Sequence, residues 1–409
     1  MKTAKPYIYV TVNGPDDGGD FGPHTPGTKT SGIQEAVDYA INNQCYVFIC
    51  GAMGGMHDGR EIPGNVYNLQ ETLRIPWSQD FEIRGGTYVL NYELRSGDAV
   101  CIDSMMNCSF DFGIIGARTD GAAIRVKPQT KGPDDFIIAI ASKVTFAALV
   151  NHGPGYGLIL DSEKGPIVHS RFTGQEINST HCMLKITDNG GKGSGVYNND
   201  IEFLFGNMDH SLGESNGLII GEEGTRNIAY NRIRCSICSP RGVYFDETEK
   251  AYIPLKDFHQ RKEIALADIY AQNNRFDLQF STNFHPGTEV LLRESAEGNT
   301  LMLNGGKCLR VDNRALGRND AIRPQSSGGL LETPDMPLSN VFLRNPYPWT
   351  ALVYITDSGK ISSWEIINSQ NERLHFDGGL FTGQMITLQS GDSIRFKYTE
   401  PVKWIWRNN

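Results

Sequence analysis

Cations are in deficit in this chain: 38 Lys and Arg stand against 47 Asp and Glu, a net charge of −9 over 409 residues. Proteins that wrap nucleic acid present a dense excess of cations to the phosphates, so no nucleic-acid partner is expected. Long apolar runs are missing as well. No stretch approaches the ~18 residues that a membrane-crossing helix requires, which argues against a membrane partner. Residues 1–12 carry two lysines but neither an apolar core nor a small-residue cleavage site. The given sequence therefore shows no secretory signal, and a cytoplasmic protein is favoured over a secreted one. Cys235 and Cys238 form one C-x-x-C, yet no second pair and no His pair stands at zinc spacing, so neither a metal nor another cofactor is expected. The eight cysteines are scattered, several within apolar runs such as Cys45-Tyr-Val-Phe-Ile-Cys50, and read as buried thiols of a reducing compartment. G-x-S-x-G, Walker and dinucleotide fingerprints are absent from any suitable context.

What the chain does have is glycine and short apolar strands. Gly supplies 45 of 409 residues and hydrophobic side chains 39%, enough for a core but broken by many turns. One helix is predicted: Ser31-Gly-Ile-Gln34 has the form of a capping box, and Ile33, Ala36, Val37, Ala40 and Ile41 follow at helical spacing, ending near Asn42-Asn43. A buried strand over Cys45–Cys50 and shorter strands within 65–76 and 81–86 come next.

From about residue 97 a repeat sets in. Pairs of apolar residues two apart recur at Val100/Ile102, Ile124/Val126, Leu158/Leu160, Leu184/Ile186, Leu218/Ile220, Val243/Phe245, Ile269/Ala271 and Val290/Leu292, with 21 to 34 residues between first members. A second signature follows in many units, a polar residue and then an apolar strand: Ser170-Arg-Phe, Asn199-Asp-Ile, Asn231-Arg-Ile, Asn274-Arg-Phe and Asn299-Thr-Leu. Asn tolerates left-handed backbone, and Asn residues stacked one above another share amide hydrogen bonds along a ladder. Such a period with period-2 strands predicts an all-β fold, a right-handed parallel β-helix. A β-sandwich would instead want regular tight hairpins, which are scarce. The amphipathic helix then serves as a cap over the open end of the stack.

Ser31-Gly-Ile-Gln-Glu-Ala-Val, Leu69-Gln-Glu-Thr-Leu-Arg-Ile-Pro76, Arg84-Gly-Gly-Thr-Tyr and the N-x-apolar coils together resemble the pectate-lyase-like superfamily of β-helix proteins over residues 28–305. That resemblance implies action on an oligo- or polysaccharide, as lyase, glycoside hydrolase, fructotransferase or epimerase, or a homotrimeric tailspike. It does not reach one family's catalytic motif: the Asp-Asp pairs of polygalacturonases and the D-P-H-D stretch of mannuronan epimerases are missing.

Side chains alternate on a strand, so residues between and just after the apolar pairs face outward, and adjacent coils stack them ~4.8 Å apart. Asp103, Arg125, Lys127, Asp161, Lys185, Tyr244, Asp246 and Tyr270 then share one strip suited to sugar rings and hydroxyls. Asp200 and Glu202 fall on the same side of one strand, and Asp246 and Glu247 end another coil's opening strand. Glycosidic cleavage needs two carboxylates in unlike surroundings, so these four are the candidate catalytic residues, with Asp161, Asp188 and Lys185 beside them. Pairing of Asp200 and Glu202 with Arg226, Arg232 or Arg234 is the competing structural account. A lyase would instead use cations and a base drawn from Arg125, Lys127, Lys185, Tyr244, His169 and Arg171, with Arg241 as a further substrate contact.

The domains expected are a cap and first coils over 1–96, the parallel β-helix over 97–305, a linker over 306–339 and a small antiparallel β-sandwich over 340–409. Trp349, Trp364, Trp404 and Trp406 are read as core of the last in preference to a sugar platform.

Overall fold

A computed structural model describes residues 5–12, 18–51, 55–57, 60–62, 66–179, 181–188, 191, 193–207, 216–238, 243–246, 251–254, 265–281, 288–305, 310–322, 331–368 and 371–408. About half of the chain is strand and only 3% helical. Three parallel sheets dominate. Sheet I runs through Tyr7–Val10, Tyr46–Ile49, Glu82–Gly85, Ser109–Ala117, Lys143–Asn151, Arg171–Ser179, Asp200–Asn207, Arg232–Cys238, Arg275–Ser281, Thr300–Gly305 and Asp320–Ile322, with Val66–Leu69 and Val89–Tyr92 attached. Sheet II runs through Leu73–Ile75, Val100–Ile102, Ala122–Val126, Tyr156–Asp161, Cys182–Thr187, Leu218–Ile220, Ala265–Ile269, Thr288–Leu292 and Val311–Asn313. Sheet III is built from two-residue strands from Ser78–Gln79 to Ile228–Ala229. From residue 73 to 238 the chain visits II, III and I in turn, and each strand pairs in register with its counterpart one repeat away. This arrangement is compatible with a parallel β-helix.

The register explains the repeat. Leu73, Val100, Ile124, Leu158, Leu184 and Leu218 are successive partners on sheet II and all are fully buried. Each such aliphatic removed from water contributes about 1.5–3 kcal/mol, so a column of them specifies the stack against a one-residue slip, which would turn every one of them outward. The turn from sheet III to sheet I carries a second column. Asn199 Nδ2 donates to Asn231 Oδ1 at 3.0 Å, Asn231 Nδ2 to Asn274 Oδ1 at 3.0 Å, and Asn299 Nδ2 to Asn319 Oδ1 at 2.9 Å. Ser170 and Ser142 continue the ladder through backbone N–H groups, and all of these residues are buried. The left-handed residue is not the Asn of the ladder but the one before it: Asp80, Asn107, Ala141, His169, Asn198, Tyr230, Asn273 and Gly298 all have φ between 49° and 68°.

Four expectations need correction. Val243–Asp246 opens no coil. It forms an antiparallel hairpin with Ala251–Pro254, so the Val243/Phe245 alternation belongs to an insertion between two coils. In the next coil Ala267 and Ile269 are the register partners of Leu218 and Ile220, so the repeating pair is Ala267/Ile269 and the one read as Ile269/Ala271 is displaced by two, although Ala271 too is fully buried. The stack does not stop at 305: Val311–Asn313 and Asp320–Ile322 pair onto it within the stretch read as a linker. Finally, the helix Ile33–Asn43 begins at Gly32 without a side-chain cap from Ser31. Thr30 Oγ1 accepts from the Gln34 N–H at 3.0 Å, while the Gln34 side chain reaches Arg74 of sheet II. The helix packs on Tyr7–Val10, Tyr46–Ile49 and Leu73–Ile75.

Residues 343–408 form two antiparallel sheets, Leu343–Arg344, Ser393–Glu400, Lys360–Ile367, Arg373–Asp377 in one and Met385–Leu388, Ala351–Asp357, Lys403–Asn408 in the other. They enclose a separate core in which Trp364, Trp404 and Trp406 are buried, with Trp349 buried nearby.

Candidate functional site

Outward positions of sheet II line up as Arg74, Cys101, Arg125, Ile159, Lys185, Ile219, Asp268 and Leu291. From Arg125 onward, charged members of this row and the next are bonded to acids of neighbouring coils and turns. Arg125 Nε donates to Asp98 at 2.7 Å and its Nη1 to Asp161 at 3.2 Å. Lys127 Nζ lies 3.4 Å from Asp161 and 2.7 Å from Glu163, and Lys185 Nζ is 2.7 Å from Glu222. Farther along, Arg293 clasps Asp268 with two bonds of 2.7 Å and lies over the Tyr270 ring. Burial pulls the Lys185 ammonium down, but its bond to Glu222 and the nearby Tyr156 carry it above the ordinary lysine value. Glu222 and Glu163 are held below the usual carboxylate range, chiefly by the hydrogen bonds from Lys185 and Lys127. Burial raises the Tyr270 phenol, assisted by Asp268.

Sheet I presents a different arrangement. Arg171, Asp200 and Arg232 are register partners, as are Thr173, Glu202 and Arg234 one step along. Arg171 Nε is 3.6 Å from Asp200 and its Nη2 3.8 Å from Glu202, so one half-exposed guanidinium spans both carboxylates. Arg234 Nη1 meets Glu202 at 3.0 Å. Asp200 Oδ1 and Arg234 Nε are shut off from solvent and have no hydrogen-bond partner. Directly after Glu202 the pairing slips at a β-bulge between Phe203 and Gly206, and Leu204 and Phe205 both point into solvent, 56% and 58% exposed. Bulges re-aim side chains and recur beside active sites.

The remaining candidates scatter. Asp188 is buried just past Cys182–Thr187 and accepts from Ser194 Oγ at 2.6 Å; Ser194, Tyr197, Pro166 and Val168 line a shallow depression of about 620 Å³. His169 is exposed in the left-handed turn, held there by backbone geometry. Tyr244 and Asp246 sit on the inserted hairpin, not on the sheet II strip, and their side chains lie outside the described residues, as do Arg241 and Glu247. Thus Arg125, Lys127, Asp161 and Lys185 share one face, with Tyr270 farther along it beside Arg293, while Asp200, Glu202 and Arg171 share another. Among the described residues no group of three or more His, Cys, Asp or Glu is placed to hold a metal ion.

Sequence reading missed Asp98, Glu163 and Glu222, the acids that neutralise the strip, because they stand in turns beyond the strand positions. Phe205 was missed because the bulge breaks alternation; the run Phe203-Leu-Phe-Gly206, apolar at consecutive positions, was the available signal. No family model matches the chain, and a search of curated proteins finds no match either.

Proposed function

We propose that the chain is a carbohydrate-active enzyme of the pectate-lyase-like kind, a right-handed parallel β-helix capped by the helix Ile33–Asn43, which cleaves or rearranges glycosidic bonds with Asp200 and Glu202. The observation that carries this reading is the carboxylate pair itself: two acids alternate on one face of a strand, share Arg171, and adjoin the solvent-facing Phe205. A strand repeat of ~3.3 Å per residue sets the Cα atoms of alternate residues about 6.6 Å apart, on the scale of the ~5–9.5 Å carboxyl separations that glycosidases use. Phe205 supplies an apolar plate on which a sugar ring stacks, and Arg171 and Arg234 supply donors to hydroxyls.

Hydrolysis or transglycosylation is favoured over uronate elimination. A lyase needs cations free to neutralise a substrate carboxylate, whereas Arg125, Lys127, Lys185 and Arg293 are each matched to the protein's own acids. The test is incubation of the full chain with a panel of neutral and acidic glycans. New reducing ends without ultraviolet-absorbing unsaturated sugar, lost in Glu202→Gln, support the proposal. Unsaturated products transfer the chain to the lyases, and binding without turnover makes it a tailspike-like glycan-binding module; either result overturns it.

A further inference from the structure

We propose that the protein self-associates as a two-fold dimer through the strand Arg373–Asp377, two copies pairing antiparallel edge to edge. This strand closes one side of its sheet: it pairs with Lys360–Ile367, and among the described residues nothing pairs with its other edge. All five of its residues are exposed. An edge of unpaired backbone N–H and C=O groups is a template for another strand.

The sequence of the strand names its partner. Arg373-Leu-His-Phe-Asp377 placed antiparallel on itself, centred on His375, sets Arg373 opposite Asp377 of the second copy, Leu374 opposite Phe376, and His375 opposite its own image. Directly opposed residues share a face. One face of the joint therefore carries two Arg–Asp pairs flanking the two His375 side chains, where within each chain His375 Nε2 already meets Asp377 at 3.1 Å and Arg373 lies 3.7 Å from Glu365. The other gathers two Leu374 and two Phe376 side chains, which are 59% and 38% exposed in the single chain. Phe376 already stacks on Trp364 at a centroid distance of 3.9 Å, so the apolar face of the joint continues the core of the sheet. A symmetric dimer requires a self-complementary patch, and this pattern of charge and apolar residues is one. With five residues per strand the joint is small against the ~1,200–2,000 Å² of stable complexes, so dissociation in the range of about 10–100 μM is expected.

The experiment is sedimentation equilibrium of the full chain from about 1 to 500 μM. Wild type should dimerise. Arg373→Asp and Asp377→Arg, each alone, put like charges opposite one another twice and should weaken self-association about tenfold or more. An equimolar mixture of the two single variants restores both Arg–Asp pairs across the joint and should form heterodimers, and the double swap in one chain should recover the wild-type constant within about threefold. Recovery in the mixture also shows that both variants are folded. A monomer over the whole range overturns the proposal, and so does a dimer or trimer indifferent to the swaps.

Discussion

On sheet II the guanidinium of Arg125 meets Asp98 at 2.7 Å and Asp161 at 3.2 Å, and only 23% of its side chain reaches solvent. On sheet I the guanidinium of Arg171 approaches Asp200 and Glu202 no closer than 3.6 and 3.8 Å and is 55% exposed. Both faces set acids beside bases along the stack. They differ in how the charges are matched: from Arg125 onward the charges of the sheet II strip are paired across coils, while on sheet I Arg171 stands half exposed at longer range from its acids, beside two exposed apolar side chains. Burying a charged group is tolerated when it is paired and hydrogen-bonded. A closed network of that kind holds coils in register and has little left to offer a ligand. A face with a half-exposed guanidinium and a solvent-facing ring is the one placed to acquire something from outside.

The largest expected contrast is in turnover. Glu202→Gln keeps the shape of the side chain and removes the carboxylate, and it should lower kcat on the cleaved glycan by about a thousandfold or more, equivalent to about 4 kcal/mol. Asp161→Asn on sheet II should change kcat by less than about tenfold. Steady-state kinetics of the two variants side by side decides the matter; equal losses would erase the distinction between the faces.

Stability should rank the same two substitutions the other way. Asp161 is 8% exposed and serves both Arg125 and Lys127. Its neutralisation leaves two partly buried cations short of a counter-charge and should cost about 2 kcal/mol in urea unfolding. Glu202→Gln should cost less than half of that. Next in size is Phe205→Ala, which removes an exposed ring and should raise KM about tenfold, near the ~1–1.5 kcal/mol of an aromatic stacking contact, while leaving the unfolding midpoint in place.

The stack was legible because its inward columns are long aliphatics whose alternation survives in a single sequence; where the inward residue is small, as at Ala267, the reading slid by two. The Asn ladder was legible through its recurrent Asn-x-apolar triplets, yet the left-handed position before it was not, since Ala141, His169 and Tyr230 occupy it with no preference for that geometry. The hairpin at Val243–Asp246 imitates a coil opening because a two-sided strand alternates whether its partner is parallel or antiparallel. Charge pairing was hardest to read: Lys185 was visible as an outward cation, but Glu222, its partner, lies in the next coil's turn one residue past Gly221, and spacing alone does not bring them together.

The smallest difference between the faces concerns acid. Glu222 ionises below the usual carboxylate range because Lys185 donates to it, and Glu163 does so because of Lys127. A carboxyl whose folded value lies below its unfolded value of ~4.3 stabilises the fold above that pH and gives the contribution up as pH falls through the folded value. Sheet II therefore loosens on acidification below about pH 4.5. Glu222 is close to half exposed, so solvent screens its share to a few tenths of a kcal/mol at physiological salt, and at 1 M salt the ~3 Å screening length reduces it further. Urea midpoints measured from pH 6 to 3 should fall less steeply in Glu222→Gln than in wild type, and the gap should narrow in high salt. A slope unchanged by the substitution would mean that the Lys185–Glu222 contact contributes nothing to holding its two coils together, and that the sheet II strip owes its order to the apolar columns beneath it.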